Sequence, residues 1–442
     1  MSGDVHLDAS HGATHKCRGG HPRYVSGYTQ IHQCMLSMID QASDRVYLST
    51  FELDADYRPH LFLACIQRAL ARDVHVYIQT TKLNANTYKN TGLRGLRARY
   101  PSRLFLELER IRQHERTTDP LCSVVAQAVK YAARSGHPIN GLHRRFVLAD
   151  HCLFLLGGNF SYRYSDNTDG PPRHVRWLDG GLLFPRVGAP VVDAMRAAWS
   201  LKQSPALPCG VGTLVMRNSE RYQTLLSLLR GARRSIYIEH QYFWVHPAVC
   251  QNRILHTLIE RVRHAEQEGT PFHITIVTNR TFHDDGDGIS RRLQEMLALC
   301  TIHEAFHHIG PSYLTIRVPS SPLSLVHSKL VVVDDRHVLI GSGNIYDASF
   351  HSQGHDEIGW VAYDQPDLVA RELLPRYILS SEKTHPVSRT DAMTLATQFL
   401  YRNNATVRAC IHAASREAMI QLPLYRPIEG CTSFTVDHCT CE

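Results

Sequence analysis

The stretch LVHSKLVVVDDRHVLIGSGNIYD, residues 325–347, decides the fold. His327 and Lys329 precede an apolar run, Asp334 closes it, and a second apolar run ends in Gly341-Ser342-Gly343-Asn344. Short β-branched runs bounded by polar and glycine turns read as paired strands. Alternation along a strand puts His327 and Lys329 on one side and Ser328 on the other. An imidazole, an ammonium, a hydroxyl and an amide then converge where two strands meet a tight turn. Cations and amide donors suit the non-bridging oxygens of a phosphate, and the imidazole suits nucleophilic or acid–base work. A lysine inside such an apolar run needs a fixed anion, because burying an unpaired charge is expensive.

The same pattern occurs earlier as GLHRRFVLADHCLFLLGGNFS, residues 141–161. His143 and His327 are 184 residues apart, and so are Asp150 and Asp334. Upstream, both copies run amphipathic helix, polar break, apolar strand: YTQIHQCMLSMIDQASDRVYLSTFEL (28–53) and RYQTLLSLLRGARRSIYIEHQYF (221–243). Ile31, Met35, Met38 and Ile39 form the first helical stripe, and Leu225, Leu226, Leu228 and Leu229 the second. Each copy continues with another helix and strand, so the chain reads as a duplication of α/β type with mostly parallel sheets. The Pro- and Gly-rich link 201–212 separates the copies. The expected division is a flexible N-terminal segment 1–25, a first half 26–205, a second half 206–384, and an appendage 385–442 with a Cys-rich tail. Segment 100–140 lacks a counterpart and reads as helical, with a break at Asp119-Pro120.

Composition narrows the function. The 442 residues are 43% apolar and 20% charged, enough for a real core and unlike a disordered chain. With 48 basic and 41 acidic side chains the net charge is +7, mildly favourable to an anionic partner. No run of 18 apolar residues is present, which excludes a transmembrane helix, and the first 25 residues hold no apolar signal core. The twelve cysteines sit mostly alone in apolar runs, as buried thiols do.

The spacing His327-x-Lys329, Asp334, then Gly341-Ser342-x-Asn344 resembles the signature of the phospholipase D superfamily. IYIEHQYF (236–243) and HDEIGWVAYD (355–364) resemble segments of its lipid-cleaving members. The resemblance implies a duplicated phospholipase D fold: two α-β-α sandwich halves about a pseudo-two-fold axis, with one active site between them. It also implies that Glu357 is an acid orienting an imidazole. The first motif keeps His143 and Asp150 but has Arg145 for lysine, and Gly157-Gly158-Asn159-Phe160 puts Phe160 at the expected asparagine and Asn159 one residue early. Arginine keeps the charge with a bidentate geometry. Asp179, in Trp177-Leu178-Asp179, is chosen over Asp166 and Asp169 as the acid orienting His143.

The implied chemistry is attack by one imidazole on phosphorus, with the other protonating the leaving alcohol; the family usually gives the first-half histidine, here His143, the nucleophile role. Lys329, Arg145 and Asn344 would stabilise the phosphate oxygens, while Asp150, Asp334, Ser342 and Asn159 hold the motif. No metal or cofactor is implied. The leading expectation is a phospholipase D or phosphatidyltransferase acting on phospholipid at a membrane surface, in the cytoplasm, on a peripheral membrane site or exported without a signal peptide, with both motifs in one monomeric site. Alternatives are a nuclease acting on DNA or RNA, and a lipid-binding scaffold whose first motif has decayed. His11, His15, Cys17 and His21, and the tail residues Cys431, His438, Cys439 and Cys441, have ligand chemistry but read as terminal segments. Tyr242, Phe243, Trp244, Tyr346 and Phe350 read as core residues or as lining for acyl chains.

Overall fold

The computed structural model describes residues 21–53, 59–81, 92–109, 142–160, 176–199, 205–243, 252–279, 311–321, 324–346, 349–350, 355–374 and 384–392, with positions 245, 299, 302–303, 305–307 and 394. The first half builds β1 (Arg23–Ser26), α1 (Tyr28–Gln41), β2 (Arg45–Ser49), α2 (Pro59–Ala71), β3 (His75–Thr81), α3 (Leu93–Arg99), β4 (Leu104–Glu109), β5 (Phe146–Ala149), β6 (Cys152–Leu156), β7 (Arg176–Leu178), β8 (Gly180–Phe184) and α4 (Ala189–Trp199). The second builds β9 (Leu207–Cys209), β10 (Gly212–Val215), α5 (Asn218–Gly231), β11 (Ser235–His240), α6 (Ile254–Glu268), β12 (His273–Val277), β13 (Leu314–Pro319), β14 (Ser324–Val326), β15 (Lys329–Val333), β16 (His337–Gly341), β17 (Gly359–Ala362) and β18 (Thr384–Pro386).

Two large sheets result, ordered β1-β8-β6-β5-β2-β3-β4 and β18-β13-β12-β11-β15-β16-β17-β10-β9, and β14 with β7 makes a third of two strands. β2, β3 and β4 are parallel, as are β11, β12 and β13, while every other pair in the two sheets is antiparallel. The sheets are therefore mixed rather than mostly parallel. The motif strands are joined by turns of two or three residues, and only antiparallel strands can be joined so tightly. Segment 104–109, expected as helix, is the edge strand β4, where alternating Leu104, Leu106 and Leu108 set a period of two. Residues 110–140 lie outside the described residues, as do Asp166, Asp169, Trp244, the N-terminal ligand-type residues up to Cys17 and the cysteine tail. β1 begins at Arg23, inside the segment expected to be flexible, because its backbone pairs with β8.

Ile31, Met35, Met38 and Ile39 of α1 are buried against β2 and β5 through Val46, Leu48, Val147 and Ala149. In the second half α5 and α6 cover Ile236, Ile238, Val331 and Val333 in the same way. The other faces of the two sheets meet: Phe146, Leu148, Leu155 and Phe184 share one core with Leu330, Val332, Ile340 and Trp360. Successive residues of β5 and β15 thus feed different cores, as a strand buried on both faces requires.

Both motif aspartates lock these strands. The Asp150 carboxylate accepts the N–H groups of Ser43 (2.8 Å), Asp44 (3.0 Å) and Arg45 (2.9 Å) at the start of β2. Asp334 accepts those of Arg233 (2.8 Å), Arg234 (2.6 Å) and Ser235 (3.0 Å) at the start of β11. Both sit at positive φ, 49° and 55°, a region aspartate tolerates. Burial opposes ionisation of Asp150, yet the backbone N–H bonds hold its carboxyl below the ordinary carboxylate value. A depressed folded-state pKa stabilises the fold above the unfolded value of about 4, and this is lost as pH falls through the folded value. Asp150→Ala should lower unfolding free energy by about 1–3 kcal/mol at pH 7, with the gap to wild type closing towards pH 2 in denaturant titrations.

Candidate active site

Two backbone crossings between the halves bring the site together. β7 pairs in parallel with β14, and the Leu178 carbonyl accepts the N–H groups of His327 (2.8 Å) and Ser328 (3.2 Å). His327 and Ser328 therefore lie in the bend between β14 and β15, and only Lys329 begins the strand. On the other side His143 N–H donates to the Asp356 carbonyl at 3.1 Å, beside a Leu142–Asp356 bridge.

The crossings decide which acid meets which imidazole. Asp179, expected on His143, instead bonds His327 Nδ1 at 2.8 Å. Glu357 bonds His143 Nδ1 at 2.9 Å. Each half's acid follows a strand or bridge laid against the other half's histidine, so the pairs are exchanged. The Glu357 carboxylate also accepts the hydroxyls of Ser342 and Ser349, each at 2.6 Å, whereas Asp179 accepts its neighbour Gly180 N–H at 2.8 Å. Burial, then the adjacent Arg145 charge, hold the His143 imidazole down to about 3. Burial and Lys329 hold His327 well below its ordinary value. Burial resists ionisation of both acids, but the facing imidazoles and nearby cations keep their carboxyls below the usual range. At neutral pH the site holds two neutral imidazoles, each backed by a carboxylate.

The asparagine position of the first motif is filled once the turns are aligned. The hairpin after Asp150 pairs Ala149 with Cys152, whereas the one after Asp334 pairs Val333 with His337. The first turn is thus one residue shorter, and every later position shifts by one. Asn159 therefore occupies the place of Asn344. Phe160 N–H donates to Glu52 O and Ile345 N–H to Tyr242 O, each at 3.2 Å. Glu52 N–H reaches Asn159 Oδ1 at 3.3 Å, and Tyr242 N–H reaches Asn344 Oδ1 at 3.4 Å. Phe160, expected at the asparagine position, is buried in the core of the first half.

By the same alignment Gly157 stands where the second half has Ser342. A Cβ at Gly157 would meet Asp179 Oδ1 at 2.3 Å and Gly180 O at 2.8 Å. The first-half acid is shorter by one methylene than Glu357 and sits against this backbone. Gly157→Ser, which restores the motif serine, should displace Asp179 from His327 and lower activity at least tenfold instead of improving it, as measured by steady-state rates.

The motif cations are buried, each 2% exposed, and hold only neutral acceptors. Lys329 Nζ donates to Gln241 Oε1 at 3.1 Å and to the His327 carbonyl. Arg145 donates from Nε to Asn159 Oδ1 (2.8 Å), from Nη1 to Gly157 O (2.7 Å) and from Nη2 to His143 Nε2 (2.8 Å). Burial, then Arg145, push the Lys329 amine well below its ordinary value. The Asn344 amide nitrogen is buried without a hydrogen-bond partner. Two cations and an unused amide donor, fixed beside two neutral imidazoles, make a receptor for a tetrahedral anion.

Sequence reasoning missed several supports. Glu239 accepts Ser328 and Tyr237 hydroxyls, and Gln241 ties Lys329; both lie in IYIEHQYF, whose polar residues were the available signal. Arg221, buried in α5, donates to Ser349 O and stacks over Phe350 at 5.4 Å. Arg144 pairs with Asp356 beside His143. Nothing local marks Arg221 or Ser349, which act across the fold. Phe243 and Phe350 are core residues, while Tyr242 and Tyr346 meet edge-on at 5.8 Å. Among the described residues no cluster suits a metal ion.

The family described as cardiolipin synthase, PLD-like domain, matches residues 225–373. Over these residues the chain is similar to the phospholipase D superfamily. It is 28% identical over 176 residues to phospholipase D zeta 2 of Arabidopsis thaliana, covering 33% of this chain and 17% of that protein. It is 27% identical over 178 residues to phospholipase D B of Dictyostelium discoideum, covering 34% and 14%. The matched stretch thus spans under a fifth of those relatives' own length. The crystal structure of phosphatidylserine synthase from Haemophilus influenzae Rd KW20 superposes with a TM-score of 0.60 at 13% identity, covering 89% of this chain and 94% of that one; the likeness is one of fold.

The exchanged acid pairs are testable by NMR of ring-labelled histidine. Glu357→Gln should shift the His143 resonances and leave those of His327 near their wild-type positions, and Asp179→Asn should do the reverse. The opposite assignment would follow if each acid served its own half.

Proposed function

We propose that the protein cleaves the distal phosphodiester bond of a glycerophospholipid through a phosphohistidine, releasing phosphatidate or passing the phosphatidyl group to an alcohol. The observation that carries this reading is the pair of buried motif cations that hydrogen-bond only neutral acceptors, next to two carboxylate-backed imidazoles. A buried cation that hydrogen-bonds no anion is costly, and an entering phosphate offsets that cost. The anionic phosphodiester brings a proton from solvent onto His327 Nε2; His143 Nε2 attacks phosphorus, the P–O bond to the headgroup alcohol breaks, and the His327 imidazolium gives that alcohol its proton. Water or an acceptor alcohol, deprotonated by His327, then attacks the phosphohistidine and frees His143. Lys329, Arg145 and the Asn344 amide hold the non-bridging oxygens as charge moves between them. Asp179 and Glu357 stabilise the imidazolium forms that arise in turn.

Lipid as the substrate is supported by the cardiolipin synthase-like family match and by relatives named as phospholipases D. Action at a membrane surface is compatible with a chain in which, among the described residues, no helix is long and apolar enough to cross a bilayer. The test is release of phosphatidate and headgroup from mixed liposomes, with a primary alcohol as trap. Wild type should form phosphatidyl-alcohol equally with and without EDTA, and His327→Ala should lose at least a thousandfold. A blank on lipids together with cleavage of single- or double-stranded DNA would replace this reading with a nuclease.

A further inference from the structure

The two motif cations do not rest in equivalent places, and the difference falls on the reacting atom. Glu239 pairs with Leu330 in the second sheet and Ser49 with Phe146 in the first. Leu330 and Phe146 each follow the motif cation, so Gln241 and Phe51 occupy matching positions two residues further on. Gln241 supplies an acceptor that draws Lys329 Nζ aside. Phe51 supplies none; its ring meets the His143 ring edge-on at 5.5 Å. Arg145 turns instead to Asn159, Gly157 and His143 Nε2. Because His143 Nδ1 faces the Glu357 carboxylate, Nδ1 carries the proton and Nε2 the lone pair. The resting guanidinium thus covers the lone pair that must reach phosphorus.

We infer that Arg145, besides holding the phosphate, masks the His143 nucleophile, and that the two non-bridging oxygens of an incoming phosphodiester, which share its negative charge, draw it away. This deepens the proposed function and rests on His143 as the attacking group. A guanidinium binds two anionic oxygens bidentately, and such charge-assisted bonds outweigh one to a neutral imidazole nitrogen. Lysine cannot do this, since its point charge makes no fork. The mask makes the imidazole selective: a ligand with two unesterified phosphate oxygens opens it, and a neutral electrophile does not.

Diethyl pyrocarbonate, a neutral electrophile, provides the test, with carbethoxylation of individual histidines followed by peptide mass spectrometry. Arg145→Lys should raise labelling of His143 about tenfold or more, the loss expected for one charge-assisted hydrogen bond, while His327 labels at its wild-type rate. Equal His143 labelling in the two proteins overturns the mask. A rise at both histidines would report a loosened fold, so a second measurement uses wild type alone. In ring-¹⁵N-labelled protein, dimethyl phosphate should move the His143 Nε2 resonance towards that of a pyridine-type nitrogen accepting no hydrogen bond. An unmoved resonance at saturation overturns the proposal. Neither readout needs turnover: a blank on liposomes with His143 protected sinks the lipid reading alone, and full turnover with His143 unprotected sinks the mask alone.

Discussion

Two hydrogen bonds between imidazole and carboxylate, His143 to Glu357 and His327 to Asp179, hold the functional geometry, and both run from one half to the other. Neither would form without the strand crossings beneath them, β7 on β14 and Leu142 on Asp356. Those crossings in turn need the two sheets pressed face to face, with Phe146, Leu148, Val332 and Trp360 in a shared core. Apolar burial supplies the non-directional force, and the backbone bonds supply the register that aims each acid.

The electrostatics follow from that burial. A site sealed between sheets makes every charge costly, so ionisable groups settle as neutral imidazoles and ionised, hydrogen-bonded carboxylates. Arg145 and Lys329 are the exceptions, cations held only by amide, carbonyl and imidazole acceptors. An anion entering between them would relieve that cost.

Much of this was legible in the sequence because the motif is local. His327, Lys329, Asp334 and Asn344 fall within eighteen consecutive positions, and the stripes of α1 and α5 are periodic. What escaped depends on register or on distant segments. Phe160 looked like the counterpart of Asn344 because a residue missing from the turn at 150–151 cannot be seen by counting along the chain; the pairing of Ala149 with Cys152 restores the match to Asn159. A loss inside a strand would have turned every later side chain to the other face, whereas a loss in the turn leaves both faces as they were. Asp179 reads along the chain as the partner of the nearer histidine, His143, yet bonds His327, since chain order carries no record of which half a strand lies against. Segment 104–109 reads as helix when leucines and charges are counted, and becomes a strand because β3 offers a free edge.

The exchange of acids also governs how the protein behaves on dilution. A half standing alone would carry an imidazole and a carboxylate unable to reach one another, so its chemistry would depend on meeting a second copy and would vanish at low concentration. Joining the halves in one chain makes that meeting intramolecular and fixes the effective concentration of each acid near its imidazole. The composite site then forms with first-order kinetics, and its population is set by folding instead of by how much protein is present.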